Sequence, residues 1–217
     1  MKRLIIRPFM VFNGEYEDTI RNREGVINTS KLMEKILFDS EYLHYDRNRA
    51  VIINNGRRTD VFKQLRTFAE DIDLETEMLL FYFCGHGCPD YTSNKLYLAM
   101  KDTDFDYASD NGIAAETINE IITQYHIRYY AIILDCCHAG MHSLGSPNKA
   151  IYSISINDYS DSKGAFFIPT IDASSSFSTV EIEGKQYSPF SYYFLRLYKK
   201  VSRISLSVFH LKNYMIT

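Results

Sequence analysis

The sequence predicts an α/β protein of three layers, with helices on both sides of a mostly parallel sheet. Three observations predict it. The apolar runs at residues 51–53, 78–83 and 129–134 are continuous rather than alternating, as in strands buried on both faces. Between them lie stretches whose apolar residues recur at helical spacing. Strand and helix alternate along the chain, which calls for crossover connections and a parallel sheet.

Taken in order, a first short strand is read at residues 4–6, and residues 13–27 are polar and read as loop. Asn28, Thr29 and Ser30 offer a helix start ahead of Leu32, Met33, Ile36 and Leu37. The strand at 51–53 is closed by Asn54, Asn55 and Gly56. Thr59 or Asp60 can cap the next helix, whose stripe is Val61, Phe62, Leu65, Phe68 and Ile72. After the strand at 78–83, Leu96, Tyr97 and Leu98 read as a short strand or hairpin arm. A helix after Gly112 carries Ile118, Ile121, Ile122 and Tyr125 on one face. Beyond the strand at 129–134, residues 141–163 are rich in Ser, Asn and Asp and read as a long mobile loop. A further strand is read at 165–171. Ser188 and Pro189 open a last helix with Phe190, Phe194, Leu197, Tyr198 and Val201 facing inward. The tail, 203–217, has no clear pattern.

A chain of 217 residues fits a single domain spanning 1–217 and buries roughly 70% of its unfolded surface without disulfide support. Its net charge of −3, with no long basic run, gives no electrostatic argument for nucleic acid. The 17 Tyr and 14 Phe fall mostly inside apolar runs, so they read as core rather than as stacking platforms. No apolar stretch approaches the ~20 residues that span a bilayer. The start of the chain is broken by Arg7 and Pro8 and is no signal peptide. The four cysteines, Cys84, Cys88, Cys136 and Cys137, have none of the spacing of a secreted disulfide framework, so a reducing cytoplasm is expected.

The chemistry lies where two of the buried strands stop. One runs into Cys84-Gly85-His86-Gly87, the other into Asp135-Cys136-Cys137-His138-Ala139-Gly140. His86 precedes Cys137 by 51 residues. Ligands of parallel sheets bind beyond the carboxyl ends of the strands, so topology alone brings this thiol and imidazole to one rim. A cysteine attacks an amide as thiolate, with the histidine taking its proton and later returning one to the leaving amine. The backbone amides of Gly87 and Cys137 are the expected oxyanion donors. Three other readings stay open. Cys84, His86 and Cys88 alternate, and with Cys136, Cys137 or His138 they offer zinc ligands, though without the usual spacing. Asp102, Asp104, Asp106 and Asp110 form an oxygen-rich stretch that suits Ca²⁺ or simple solvation, without EF-hand spacing. Asp135 could accept backbone hydrogen bonds at the start of a loop.

The two motifs together resemble the caspase/metacaspase family of cysteine peptidases. Cys84-Gly85-His86-Gly87 is similar to the family's Ser-Gly-His-Gly, and Asp135-Cys136-Cys137-His138-Ala139-Gly140 to the metacaspase Asp-x-Cys-His-Ser-Gly. The spacing of about 50 residues from His to Cys also matches. Asp102-Thr103-Asp104 sits at the family's acidic turn, and Ser188-Pro189-Phe190-Ser191 resembles its Gly-x-Phe-Thr. The resemblance implies the caspase–hemoglobinase αβα fold and an endopeptidase, compatible with a bacterial source, acting on peptide or protein substrates in regulated proteolysis or a cell-death or defence response. It implies Cys137 as nucleophile, rather than Cys136, and His86 as base. Asp135 would line the pocket for an Arg or Lys at P1. The family's second pocket acid has no clear match; Asp172 comes early, and Glu181 and Glu183 come late. No cofactor is required for the chemistry, and Ca²⁺ is the candidate activator at Asp102, Asp104 and Asp106. Lys149 and Lys163 are candidates for self-cleavage. Control by a partner protein or a larger assembly is expected. The alternative is a catalytically silent docking or signalling module, whose usual mark is loss of the Cys or His.

Overall fold

The structure, a computed structural model, describes residues 4–38, 47–137, 164–169, 179–194 and 196. In chain order the elements are β1 (Ile5–Phe12), α1 (Glu24–Phe38), β2 (Val51–Asn54), α2 (Arg58–Glu70), β3 (Glu77–Gly85), β4 (Gly87–Asp90) and β5 (Lys95–Leu98). There follow α3 (Ala108–Asn111), β6 (Ile113–Ala114), α4 (Ala115–Gln124), β7 (Tyr129–Cys136), β8 (Gly164–Pro169), β9 (Val180–Ile182) and β10 (Lys185–Tyr187). Residues 189–194 are again helical. Short 3-10 turns occupy Thr19–Arg21 and Phe105–Tyr107.

Five strands make one sheet in the order β2-β1-β3-β7-β8, every pair parallel. Strand alternation sends Phe9, Val11, Phe81, Phe83, Ile132 and Leu134 to one face. There they pack with Val61, Leu65 and Phe68 of α2 and Ile118, Ile121 and Ile122 of α4. Met10, Phe12, Tyr82 and Ile133 join Val26 and Met33 of α1 in the second core, against which Phe190 and Phe194 pack. Burial on both faces explains why the runs at 78–83 and 129–134 are unbroken, whereas β2, at the sheet edge, is only half-buried at Val51 and Ile52. This is the three-layer α/β arrangement expected from the sequence.

Several boundaries differ from the sequence reading. β1 runs to Phe12 through Pro8, because β2 pairs with it only from Phe9 onward and the strand is still one-sided at the proline. α1 begins at Glu24, a turn earlier than Asn28. Thr29 and Ser30 are buried within it and bind inward, Thr29 Oγ1 accepting from Ser188 N at 2.8 Å and Ser30 Oγ donating to Asn54 Oδ1 at 2.7 Å. α2 is not capped by Thr59 or Asp60. It starts at Arg58, whose amide donates to Asp102 Oδ1 at 2.9 Å, so a carboxylate 44 residues away satisfies an end that its neighbours leave open. Tyr125 lies just past the end of α4. β3 and β7 extend to Gly85 and Cys136, and β8 covers Gly164–Pro169, residues 170 and 171 of the expected strand falling outside the described residues. The loop at 141–163, the tail at 203–217, Leu197, Tyr198 and Val201 fall outside the described residues.

The sequence reading missed the β9–β10 hairpin. Its two-residue turn is Glu183-Gly184, both at positive φ (51° and 73°), the turn that matches strand twist. The hairpin packs along α1, where Asn28 Nδ2 donates to Gln186 O at 3.1 Å.

At the amino-terminal rim of the sheet lies a charge cluster. Arg7 and Glu77 are each 2% exposed and joined at 2.7 Å. Arg7 also reaches Asp71 Oδ2 at 3.0 Å, and Arg49 pairs with both acids. The opposite rim holds His86 and Cys137.

Candidate active site

β3 and β7 set the site. Their parallel register pairs Cys84 with Asp135 and Gly85 with Cys136. His86 and Cys137 are the next residue on each strand, so they leave the sheet as neighbours.

His86 is held from four sides. Its amide donates to Tyr16 Oη at 3.0 Å, and its carbonyl accepts from Ala99 N at 3.0 Å. Its ring meets Tyr16 at 5.3 Å and the edge of Phe105 at 5.4 Å. Nε2 lies 2.8 Å from the carbonyl oxygen of Arg21. A carbonyl only accepts, so Nε2 carries the hydrogen and the lone pair is left on Nδ1. Burial is the main force holding the imidazole pKa below its ordinary 6.5, and the Arg23 and Arg21 charges act in the same direction, while the bond to the Arg21 carbonyl opposes them. The ring is therefore neutral at neutral pH, as a general base requires.

The Arg21 carbonyl reaches His86 because its loop is pinned. Asn13 is fully buried; its amide group donates to Ala99 O at 3.0 Å and accepts from Gly56 N at 2.8 Å. Asn55 Oδ1 accepts from both Gly14 N and Glu15 N at 3.0 Å, and Asn22 Oδ1 accepts from Tyr16 N at 2.8 Å. Polar loop residues that look featureless in sequence thus carry the histidine's partner.

Gly87 opens β4 beside the Cys137 turn. A Cβ there would lie 2.2 Å from the Cys137 carbonyl and 3.1 Å from Cys136 Sγ, so only glycine allows this approach. The bond from Ala99 N to His86 O makes Gly87 and Leu98 a non-hydrogen-bonded pair of the antiparallel ladder. The Gly87 N–H consequently points away from β5. β4 is the edge of its three-stranded sheet, and that outward side faces the rim.

The four thiols differ. Cys84 and Cys136 are fully buried, and burial first, then the Asp135 charge, pushes both well above the ordinary range. Cys88 is half-buried and pushed up to about 11, chiefly by burial. Cys137 is half-buried at the turn that follows β7. All four are free. Among the described residues no three His, Cys, Asp or Glu side chains converge to hold a metal ion.

Asp135 is fully buried. Its Oδ2 accepts from Tyr82 Oη at 2.7 Å and from Ser188 Oγ. Burial, then the Asp135 charge, drives the Tyr82 phenol well above its ordinary range, so it stays a donor. Ser188 N in turn donates to Thr29 Oγ1, tying the chain before the terminal helical segment to both α1 and β7. The acidic turn is not gathered around one point. Asp102 caps α2, and Asp104 Oδ1 accepts from Asp106 N at 3.0 Å while Asp104 N donates to Asn111 Oδ1 at 3.0 Å. These three carboxylates do not fit a calcium cage. They line, with Glu17, Asp18, Arg21, Thr103 and Phe105, a cavity of about 310 Å³. Asp172, Lys149, Lys163 and His138 fall outside the described residues.

Sequence reasoning missed Tyr16, the Arg21 carbonyl, Arg23, Tyr82 and the hydroxyl of Ser188 as parts of the site. Tyr16, Arg21 and Arg23 lie in no motif, and Ser188, although in a motif, carries nothing there that marks its hydroxyl as a partner of Asp135.

The family model for the caspase domain matches residues 9–213. The chain belongs to the caspase domain family. Membership makes it a cysteine peptidase by type, a hydrolase whose relatives act on protein substrates. The crystal structure of caspase-1 from Spodoptera frugiperda is similar at a TM-score of 0.55 and 13% identity, over 88% of this chain and 68% of that one. A structure of pro-sf-caspase-1 is similar at a TM-score of 0.50 and 11% identity, over 87% and 68% of the two chains. At such identities the likeness concerns the caspase fold alone. No curated protein matches the chain. No helix among the described residues of this caspase domain is long and apolar enough to cross a membrane.

Proposed function

We propose that the chain is a cysteine endopeptidase working through a His86–Cys137 dyad. The observation that carries this reading is the Arg21 carbonyl on His86 Nε2, which leaves Nδ1 as the basic nitrogen beside the strand end that bears Cys137. Nδ1 takes the Cys137 proton, the thiolate attacks the scissile carbonyl, and the oxyanion is met by the Gly87 and Cys137 amides. The imidazolium then protonates the leaving amine, and water attacks the acyl-enzyme with His86 again as base. Burial of the Cys136 thiol supports Cys137 as the nucleophile. The presence of both dyad members argues against a silent docking module.

The motif around Asp135 supports a metacaspase-type enzyme, and with it cleavage after Arg or Lys. Asp135 is a buried carboxyl two residues before the proposed nucleophile, and a carboxylate pairs well with guanidinium. A second reading, cleavage after an acidic residue, is favoured by the Arg21 and Arg23 charges that act on His86. The proposed setting is regulated proteolysis of the cell-death or defence type in a reducing bacterial cytoplasm, under control of a partner protein. The four free thiols support that compartment. Lys149 and Lys163 are the proposed self-cleavage positions. No calcium step is included, because the acidic turn does not form a cage.

The test is hydrolysis of fluorogenic peptides with Arg, Lys or Asp at P1, with and without Ca²⁺, beside a Cys137→Ala control. Turnover of the Arg and Lys peptides that vanishes in the control supports the main reading. Turnover of the Asp peptide alone supports the second. No turnover of any peptide rejects the enzyme reading. Intact mass of the active protein against Cys137→Ala tests self-cleavage.

A further inference from the structure

We infer that Tyr16 is a positioning residue for the reaction, fixing the tautomer and orientation of His86. This rests on His86 being the general base.

Tyr16 is 3% exposed and sits under the site rather than in it. Its hydroxyl does two things at once. It donates to Asn13 O at 2.6 Å and accepts from the His86 amide at 3.0 Å. Its ring packs on His86 at 5.3 Å and on the Phe105 edge at 5.2 Å. The hydroxyl grips the His86 backbone, whereas the His86 ring is met at Nε2 by the Arg21 carbonyl, and Arg21 belongs to the loop whose path is set by Asn22 Oδ1 on Tyr16 N. Tyr16 therefore holds both ends of the arrangement: the histidine through the hydroxyl, and the carbonyl through its own amide.

The bridge needs a neutral phenol, since a phenolate cannot donate to Asn13. Burial drives the Tyr16 pKa far above the ordinary 10.0, so the hydroxyl keeps its proton at any working pH. A phenylalanine would fill the same space and leave both the His86 amide and the Asn13 carbonyl without this partner. Glycine at 85 matters to the same contact, because a Cβ there would lie 3.1 Å from the Tyr16 oxygen.

The experiment compares wild type with Tyr16→Phe by kinetics and by ¹⁵N NMR of the histidine ring. The expected kinetic result is a fall in kcat of about 10- to 100-fold with KM unchanged, the scale of a misplaced catalytic group. The expected spectroscopic result is a pure Nε2–H signature for His86 in wild type and a mixture of tautomers in the variant. The spectra are recorded in a Cys137→Ala background as well, so this arm reads His86 even if no peptide is cleaved; loss of all turnover in wild type rejects the peptidase reading, not this one. Tyr193→Phe, which removes an exposed hydroxyl away from the site, is expected to leave the signature intact. If Tyr16→Phe does not fold, Asn22→Ala, at an exposed position, loosens the same loop and is expected to mix the tautomers. A wild-type signature and wild-type kcat in the folded variant would overturn the inference, as would a mixed signature in the wild type.

Discussion

Ser188 and Asp135, 53 residues apart in sequence, are hydrogen-bonded in the core, with the serine hydroxyl donating to the carboxylate. The bond ties the start of the helical segment at 189–194 to the strand that runs into Cys137. Ser188→Ala leaves a fully buried carboxyl with one donor fewer. The expected loss is about 1–3 kcal/mol of stability, the range for a buried polar group deprived of its partner. Urea unfolding measures it. A loss of about 0.5 kcal/mol or less, typical of a surface substitution, would mean the bond is not made in solution.

The pKa of His86 lies below 6.5, with burial the largest cause. The acid limb of the kcat/KM profile is therefore expected below pH 6.5. Stability follows the same sign. As pH falls through 6.5 the unfolded chain protonates this histidine and the folded chain does not, so the unfolded state gains. The contribution is present above 6.5 and is lost as pH falls toward the folded-state pKa. An acid limb centred above 6.5 would contradict the burial argument.

Gly87→Ala places a methyl group against the Cys137 carbonyl, 2.2 Å from an unmoved backbone. The turn must shift, and with it the two amides assigned to the oxyanion. A fall in kcat of about 10²–10³ is expected, the usual cost of losing one such donor. Gly184→Ala, at the tip of the β9–β10 hairpin, meets nothing within 4 Å but strains a residue at φ 73°, so it serves as a control that costs some stability away from the chemistry. Equal activity of the two variants would remove Gly87 from the site.

Glu77→Ala leaves Arg7 buried without its main partner. Breaking a buried pair by removing one member costs about 3–5 kcal/mol. Thermal or urea unfolding is expected to register that loss. At temperatures where the variant remains folded, kcat and KM stay near wild type, because the cluster lies at the far rim of the sheet.

The paired strands and both reactive motifs are legible in the sequence because burial on two faces leaves an unmistakable apolar run. Where those strands end is less legible. Gly85 and Cys136 are small or polar, yet they go on pairing because the flanking strands already hold the backbone. Thr29 and Ser30 look like helix caps, but their hydroxyls point into the core, and nothing local marks the difference. The start of α2 depends on Asp102, which only tertiary contact supplies. Tyr16 and Arg21 were beyond sequence reasoning for a plainer reason. One acts through a hydroxyl on a backbone amide, and the other through its own carbonyl oxygen, which every residue type possesses.

The shared register of β3 and β7 works as a ruler. Adding or deleting one residue within 77–85 or 129–136 would carry His86 or Cys137 about 3.3 Å along its strand and turn its side chain to the other face. The turn at 91–94 between β4 and β5, fully exposed, has no such constraint. Change in length is thus affordable at the loops and forbidden in two strands, so that relatives sharing this chemistry can differ widely in size while these two segments keep the same count of residues.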